Sequence, residues 1–321
     1  MTATLAFDPG YGNIKLYGAQ GALVMQSAVS VGGAHAVRPM AGLKAAKPPL
    51  RIETLAGRFY VGEGAHDWGR PIETLDFDRL TGSPELMALF YGALTRYVVP
   101  AEPLSLIVGL PIHALMDDDA TATQAAVRAA FRGTHTWAAD GVPHAAAVEA
   151  VRITSQPVGA MFDYLLDNAG QMPLGRRMAV KDEMGILGIG MNTLDLLVVR
   201  NATPVQRFTA GETLGVRRLL ELMRSDGVFS LAELDLRLRE APTAAPEASR
   251  LWGTEVLGFI ERTWGREFRR FRVIVAVGGG TALLREPLLR RFKDKLFVPD
   301  DPIISTARGL YKYSLKAQGS G

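Results

Sequence analysis

Apolar residues recur along this chain in the same order in its two halves. The first half opens with a short apolar run at residues 4–7, a Gly-containing turn, and strand-like runs at 14–17 and 22–29. The second half repeats that order at residues 185–190, 194–199 and 205–208. Short runs joined by Gly-containing turns are typical of hairpins, so each half is predicted to open with three strands.

Alternating helices and strands are predicted after these openings. Ser83 and Pro84 carry the cap and first-position signals of a helix that extends to about Val99. Residues 32–49 lack periodicity, which predicts a surface loop. The other predicted strands are 51–55, 58–61, 104–110, 148–153 and 272–277. The other predicted helices are 117–131, from 156 onward, and about 211–224, 230–239, 246–269, 281–291 and 302–315. This repetition predicts a duplicated mixed α/β domain.

Length and composition narrow the class of protein. A chain of 321 residues usually divides into two domains, and 48% hydrophobic with 21% charged residues is typical of a globular protein. The net charge of +3 includes no dense basic block, so direct nucleic-acid binding is not indicated. The lack of cysteine excludes disulfides and thiolate chemistry. With no signal peptide and no apolar run near the roughly 20 residues of a membrane helix, we expect a cytoplasmic protein that does not bind membranes.

The first turn, DPGYGNIK, has the composition of a phosphate-binding loop. Gly10 and Gly12 allow the backbone to curl and point its N–H groups at one place, which suits a phosphate. Asn13 and Lys15 share one face of the following strand and add an amide donor and a point charge. Asp8, at the strand end, is the type of ligand that hydrated Mg²⁺ prefers. An ordinary hairpin explains the same segment equally well.

Three later segments add candidate chemistry. The turn GIGMNTLD repeats the form of the first, with Asp195 at the start of the returning strand. Residues 273–284 contain a buried strand, three glycines and a helix start, which allow a flat ring to approach the backbone. Gln156 follows a strand between the two halves, where an amide can orient a water for attack on a phosphate. A plain hairpin, a tight strand–helix turn and a helix-capping glutamine are the structural alternatives.

Five segments in a fixed order carry a resemblance to a known superfamily. They are DPGYGNIK, QPVGA, GIGMNTLD, VGGGTALL and TARGLYKY. They resemble the first phosphate loop, first connecting helix, second phosphate loop, adenosine loop and second connecting helix of the actin, Hsp70 and sugar-kinase superfamily. The residues of these segments and the short length of the chain most resemble those of the bacterial actin-like plasmid-segregation proteins, the ParM/StbA family, and of their archaeal relatives.

This resemblance implies a fold and a function. It implies two actin-like (ribonuclease H-like) α/β domains with a nucleotide cleft between them. Domain I would comprise residues 1–155 and 301–321, and domain II residues 156–300. ATP or GTP with Mg²⁺ would bind in the cleft, and copies of the chain would form a nucleotide-dependent filament with triphosphatase activity. A DNA-binding adaptor protein would link that filament to DNA.

The resemblance also implies roles for particular residues. Asp8 and Gln156 would be catalytic, and Asp8 and Asp195 would hold the metal. The phosphates would be bound by Gly10, Tyr11, Gly12, Asn13, Lys15, Gly190, Met191, Asn192 and Thr193. The adenosine would be bound by Gly211, Glu212, Gly278, Gly279, Gly280 and Thr281.

One position departs from the pattern of the superfamily, whose second phosphate loop usually begins with aspartate. This chain has Gly188 there. The missing carboxylate usually helps to hold the metal or the attacking water, so slow hydrolysis is expected. A small-molecule kinase and a non-polymerising ATP-dependent regulator are the alternatives of the same fold. A kinase needs a general base near the terminal phosphate, and no further aspartate stands out for that role.

Overall fold

The computed structural model describes residues 2–32, 42, 47–73, 76–98, 102–116, 119–224 and 227–318. Most of the loop predicted at 32–49 therefore lies outside the described residues. Within the described ranges no helix is long and apolar enough to cross a membrane.

The first half of the chain builds one large mixed sheet. Its strands are β1 (Ala3–Pro9), β2 (Asn13–Gly18), β3 (Gly21–Gln26), β4 (Val29–Val31), β5 (Leu50–Thr54), β6 (Gly57–Val61), β7 (Arg70–Pro71), β8 (Leu104–Leu110), β9 (Gly133–Ala139) and β10 (Val142–Ser155). Their order in space is β3-β2-β1-β8-β10-β9-β5-β6-β4-β7. β1, β8 and β10 are parallel, whereas β2 and β3 run antiparallel to their neighbours.

The second half builds a smaller sheet with the same central order. Its strands are β11 (Met184–Ile189), β12 (Leu194–Arg200), β13 (Thr203–Pro204), β14 (Ala210–Glu212), β15 (Val273–Val277) and β16 (Leu296–Phe297). The order β13-β12-β11-β15-β16 repeats β3-β2-β1-β8-β10, with an antiparallel hairpin followed by parallel strands. The duplicated α/β fold predicted from the sequence is confirmed.

Helices cover both faces of the sheets. They are α1 (Pro84–Tyr97), α2 (Ala120–Phe131), α3 (Gln156–Leu165), α4 (Arg177–Lys181), α5 (Val216–Met223), α6 (Leu231–Glu240), α7 (Pro246–Trp264), α8 (Gly279–Leu283), α9 (Arg285–Phe292) and α10 (Ser305–Gln318). Short 3-10 helices lie at Ala65–Asp67, Phe77–Thr81, His113–Leu115, Leu174–Arg176, Gln206–Phe208, Glu267–Arg270 and Lys293–Lys295.

Strand alternation distributes the apolar side chains between two cores in each half. Leu5 and Phe7 of β1 pack with α1 and α2, whereas Ala6 faces Leu310 of α10. In β11, Leu187 packs with α5, α6 and α7, whereas Ile186 faces α3. Successive side chains of a strand point to opposite faces, so α3 and α10 come to lie between the two sheets.

The contact between α3 and α10 depends on two glycines and one buried carboxylate. A Cβ on Gly309 would lie 1.8 Å from the carbonyl oxygen of Gly159, so only glycine allows this approach. Asp163 accepts hydrogen bonds from Ser305, Arg308 and Lys312 at 2.6–2.8 Å. These bonds lower the pKa of the Asp163 carboxyl against the effect of its burial. The division of the chain into domains at 155/156 and 300/301 stays a prediction.

Two local predictions are wrong. The helix expected from 211 begins at Val216, because Ala210–Glu212 pairs with β12 as strand β14. The strand expected at 205–208 is a 3-10 turn, and the pairing strand ends at Pro204. A third feature was missed: β9 and the first part of β10 form a hairpin. Its turn, Asp140-Gly141, has positive φ at both residues, and Asp-Gly is the sequence signal for such a turn.

Candidate functional site

A cleft with a volume of about 410 Å³ lies between the two halves. It is lined by the turns that follow β1 and β11 and by the turn between β15 and α8. The first two turns touch, since a Cβ on Gly12 would lie 3.1 Å from the Cβ of Met191. The turns after β1 and β11, which are equivalent strands of the duplicated fold, therefore both face this cleft.

Asp8 is the centre of the hydrogen bonds in the first half of the cleft. Its side chain is 3% exposed and accepts a bond from Lys15 Nζ at 2.9 Å. The two residues are paired across β1 and β2, which places them side by side. Gln156, the first residue of α3, donates from Nε2 to the other Asp8 oxygen at 2.8 Å. The candidate metal ligand, point charge and water-orienting amide therefore form one connected group.

The first turn has a tight backbone and an anchored tyrosine. A Cβ on Gly10 would lie 2.6 Å from the Asn13 carbonyl oxygen, so the turn needs glycine at this position. The Tyr11 hydroxyl donates to the carbonyl of Asp76, and the Tyr11 ring meets Phe77 edge-on. Burial raises the pKa of Tyr11, so its hydroxyl stays protonated and a donor.

Asp195 joins the two halves. It is 3% exposed and accepts bonds from Thr193 Oγ1 at 2.9 Å and from the backbone N–H of Ile112, in the first half, at 3.0 Å. Burial raises the pKa of Asp195 to about 6, although both hydrogen bonds lower it, and nearby Asp8 raises it further. Gly190, Met191, Asn192 and Thr193 line the same side of the cleft.

We expect the metal-free protein to lose stability as the pH rises through about 6 because of Asp195. Between its ordinary value of 3.8 and about 6, the folded protein binds this proton and the unfolded chain does not. The stabilising contribution is therefore full below about 4 and is lost above about 6, with an upper limit of about 3 kcal/mol. Urea unfolding of wild type and Asp195→Asn in chelator at pH 4–7 measures the difference. Parallel pH profiles would contradict the prediction.

Of the three consecutive glycines at residues 278–280, two line the cleft and the third packs in the core. A Cβ on Gly279 would meet no atom within 4 Å, so the backbone there is open to a flat ligand. Gly278 has φ 92° and also lines the cleft. Gly280 instead packs against Ile189, and Thr281 is fully buried with its hydroxyl donating to the Val277 carbonyl. Two of the four residues predicted here therefore face the cleft.

The other predicted adenosine residues, Gly211 and Glu212, do not line the cleft. Gly211 lies in β14, where a Cβ would contact the backbone nitrogen of His113 and the Asp195 carboxylate. Pairing of β14 with β12 holds these residues at the sheet edge. Their adenosine role stays a prediction that lacks support from their position.

Sequence reasoning missed the face of α6 that closes the cleft. Asp235, Leu238 and Arg239 line it from positions i, i+3 and i+4 of this helix. Burial raises the pKa of Asp235, and Arg239 donates to it at 2.8 Å. The spacing is visible in the sequence, but nothing local distinguishes this face from that of any amphipathic helix.

The carboxylates of the cleft suit magnesium. Asp8 and Asp195 both line it, and carboxylate oxygens are hard ligands. No cluster of three or more His, Cys, Asp or Glu side chains with metal-binding geometry occurs among the described residues. Mg²⁺ commonly uses one or two carboxylates with phosphate oxygens and waters, so these residues fit a magnesium ion brought with a polyphosphate.

Comparisons with known proteins agree with this geometry. Residues 6–159 match the family described as the N-terminal domain of actin-like proteins. Ta0583, an archaeal actin homolog, superposes with a TM-score of 0.74 at 18% identity over 100% of both chains. The chain has the actin fold. The resemblance drawn from the five motifs is thus confirmed, by the family match in the first half and by the fold across the whole chain.

Other solved structures share the actin fold of this chain. ParM from pSK41 superposes with a TM-score of 0.73 at 17% identity, over 99% of this chain and 98% of its own. ParM from a 15-stranded filament of Clostridium botulinum gives 0.75 at 18% identity, over 97% of this chain and 98% of its own. No curated protein matches this actin-like chain.

Proposed function

We propose that this actin-like protein binds ATP or GTP with Mg²⁺ in the cleft and assembles with copies of itself into filaments. The observation that carries the proposal is the contact between the first two turns across the cleft, at Gly12 and Met191. Two curled Gly-containing turns facing one space suit a polyphosphate bound from both sides. The open backbone at Gly279 lies on the same cleft and suits the nucleoside.

Residues of the cleft have defined roles in this proposal. Lys15 and the backbone of residues 10–13 and 190–193 bind the phosphates, and Asp8 with Asp195 holds Mg²⁺. Gln156 exchanges its bond to Asp8 for a water that attacks the terminal phosphate. The relative Ta0583 has been solved in complex with ADP, which supports a nucleotide here.

Filament formation follows from domain closure. A triphosphate that contacts both halves favours the closed arrangement, since it binds that arrangement more tightly. Closure then presents complementary surfaces head to tail, and such contacts build open polymers. Clostridial ParM and Alp12 have been solved as filaments, which supports self-association. We infer that the polymer acts in the cytoplasm in plasmid or DNA segregation, through a DNA-binding adaptor, or as a cytoskeletal element.

Sedimentation tests this function. We expect the protein to pellet with Mg²⁺ and ATP or GTP, and also with slowly hydrolysed analogues, because closure requires binding and not cleavage. Chelator should keep the protein in the supernatant. A chain that stays monomeric with every nucleotide across a wide concentration range would contradict the filament. A nucleotide-stabilised monomer would then favour the kinase or regulator.

Restoring the carboxylate at Gly188 should accelerate hydrolysis. A Cβ there would meet no atom nearer than Asp195 Cβ at 3.6 Å, so a side chain can begin at this position without a clash. We expect Gly188→Asp to raise the rate of phosphate release at least about tenfold, which is below the roughly 10²–10⁴-fold that a positioned general base contributes. Gly188→Asn, of equal size and no charge, is the matched control. Equal rates in all three proteins would show that hydrolysis is not limited by this carboxylate.

A further inference from the structure

The second sheet carries a concentration of arginines at the end opposite the cleft. Residues 200–207 and 266–272 contain six arginines and one acid, Glu267, whereas the whole chain has a net charge of only +3. The first segment begins where β12 ends and the second leads into β15, on the side away from the cleft turns. Because a strand rises about 3.3 Å per residue, the length of β11 separates this end from the cleft by about 17 Å. We call the six residues the basic edge: Arg200, Arg207, Arg266, Arg269, Arg270 and Arg272.

Tertiary contacts join the two segments into one surface. The guanidinium carbons of Arg207 and Arg270 lie 4.4 and 5.2 Å from the centre of the Phe208 ring. Arg200 and Arg270 both pair with the carboxylate of Glu183, which immediately precedes β11. Neither segment is long enough to form a basic block in the sequence, so the fold itself assembles the basic edge.

The charge of the basic edge is accessible and only partly neutralised. All six arginines are exposed. Glu183 is 7% exposed and pairs with two of them, and the Asp182 carboxylate lies 3.8 Å from a third. With Glu267, three acids therefore accompany six arginines. The arginines that form no ion pair with any described residue are Arg207, Arg266 and Arg269. The basic edge thus offers three reachable guanidinium groups to an anionic partner.

The chemistry of this surface favours a phosphate backbone as its partner. A guanidinium group donates two parallel hydrogen bonds to a phosphate, which an ammonium group cannot do. Within residues 200–207 and 266–272, all of which the structure describes, no large apolar side chain is exposed. A partner helix or a membrane would need such contacts. Phe208, Phe268 and Phe271 are at most 7% exposed, so these rings cannot stack on an unpaired base. The basic edge therefore suits the outside of a nucleic-acid duplex.

We propose that the basic edge binds double-stranded nucleic acid through its phosphates, without reading its sequence. Arg207, Arg266 and Arg269 donate to phosphate oxygens, and the partly neutralised arginines beside them add to the positive field. The sequence does not indicate direct nucleic-acid binding because these charges are divided between distant segments. The site acts without nucleotide in the cleft, so its test does not depend on the proposed function. In a filament, each copy adds one such site along the same duplex.

Fluorescence anisotropy of two duplex DNAs of unrelated sequence, titrated with the full nucleotide-free chain, tests the proposal. We expect saturable binding of equal strength for both sequences. The affinity should fall about 40-fold between about 50 and 200 mM salt, because each of three phosphate contacts contributes a slope of about −0.9. The edge variant, which combines Arg207→Gln, Arg266→Gln and Arg269→Gln, should bind at least about tenfold more weakly and with little salt dependence.

A matched control removes the same charge from the first half of the chain. It combines Arg128→Gln, Arg132→Gln and Arg152→Gln, three exposed positions outside the basic edge, and should change the affinity less than about twofold. Equal weakening in the control and the edge variant would show that net charge alone governs binding, and it would overturn the proposal. If the edge variant does not fold, Arg269→Glu replaces it and should lower the salt slope by about one. An unchanged slope in Arg269→Glu would also overturn the proposal.

Three further measurements separate a duplex from other partners. Polyglutamate should bind at least about tenfold more weakly than duplex DNA, and equal affinities would contradict a preference for phosphate. Vesicles of anionic lipid should leave the chain in the supernatant, and co-sedimentation that is lost in the edge variant would assign the basic edge to a membrane.

The third measurement is sedimentation with Mg²⁺ and ATP or GTP, in which the edge variant should pellet as wild type does. Loss of pelleting in the edge variant alone would place the basic edge in the filament contact and overturn the proposal. Failure of the wild type to pellet would contradict the proposed filament, whereas the DNA titration would still test the basic edge.

Discussion

Gly309→Ala should destabilise the protein by about 3 kcal/mol or more. The new Cβ would lie 1.8 Å from the carbonyl oxygen of Gly159 and 2.5 Å from the backbone nitrogen of Asp163. Both atoms belong to the α3 backbone, which cannot move as a side chain can, so α3 and α10 must separate. That separation would also lengthen the bonds of Asp163 to Ser305, Arg308 and Lys312. Urea unfolding of the nucleotide-free protein measures the loss.

Gly258→Ala is the matched control, because it makes the same change inside another helix. A Cβ on Gly258 of α7 would meet only the end of the Arg262 side chain, at 3.5 Å. Alanine there should stabilise the protein by about 0.5–1 kcal/mol through reduced backbone entropy of the unfolded chain. The two alanines should therefore change stability in opposite directions. Equal unfolding midpoints would show that α3 and α10 pack less closely than described.

Asp8→Asn should lower Mg²⁺-dependent nucleotide turnover about 100-fold, which corresponds to about 2.7 kcal/mol. The neutral amide keeps the size of the side chain but removes the charge that would hold the metal. Asp294→Asn, an exposed carboxylate away from the cleft, is the control and should change turnover less than twofold. Turnover is measured as phosphate release at saturating Mg²⁺.

A fold control is needed because Asp8→Asn leaves Lys15 without its ion-pair partner at 2.9 Å. The double variant Asp8→Asn with Lys15→Met removes both charges and should recover part of the lost stability without recovering turnover. Full turnover in Asp8→Asn would show that the metal is held elsewhere. Asp195 would then be the first alternative, since its carboxylate lines the same cleft.

The sequence by itself determined the strands that open each half of the chain. The short apolar runs near residues 4 and 185 and the turns between them are local signals, and the structure has β1 to β3 and β11 to β13 there, although the second unit ends at Pro204 and not at Phe208. Local signals failed where pairing with a distant strand decides the conformation. A helix was predicted from about residue 211, yet the backbone of Ala210–Glu212 pairs with β12.

Only the tertiary structure decided which of the candidate residues lie together in the cleft. It brings Asp8, Lys15, Gln156 and Asp195 to the cleft, and it leaves Gly211 and Glu212 at a sheet edge and Thr281 in the core. The nucleotide-binding roles of all these residues stay predictions. The position of the α6 face at the cleft and the burial of Arg79 could not be predicted from the sequence. Burial and the lack of a partner depend on residues far apart in the chain, and no periodicity along one segment encodes them.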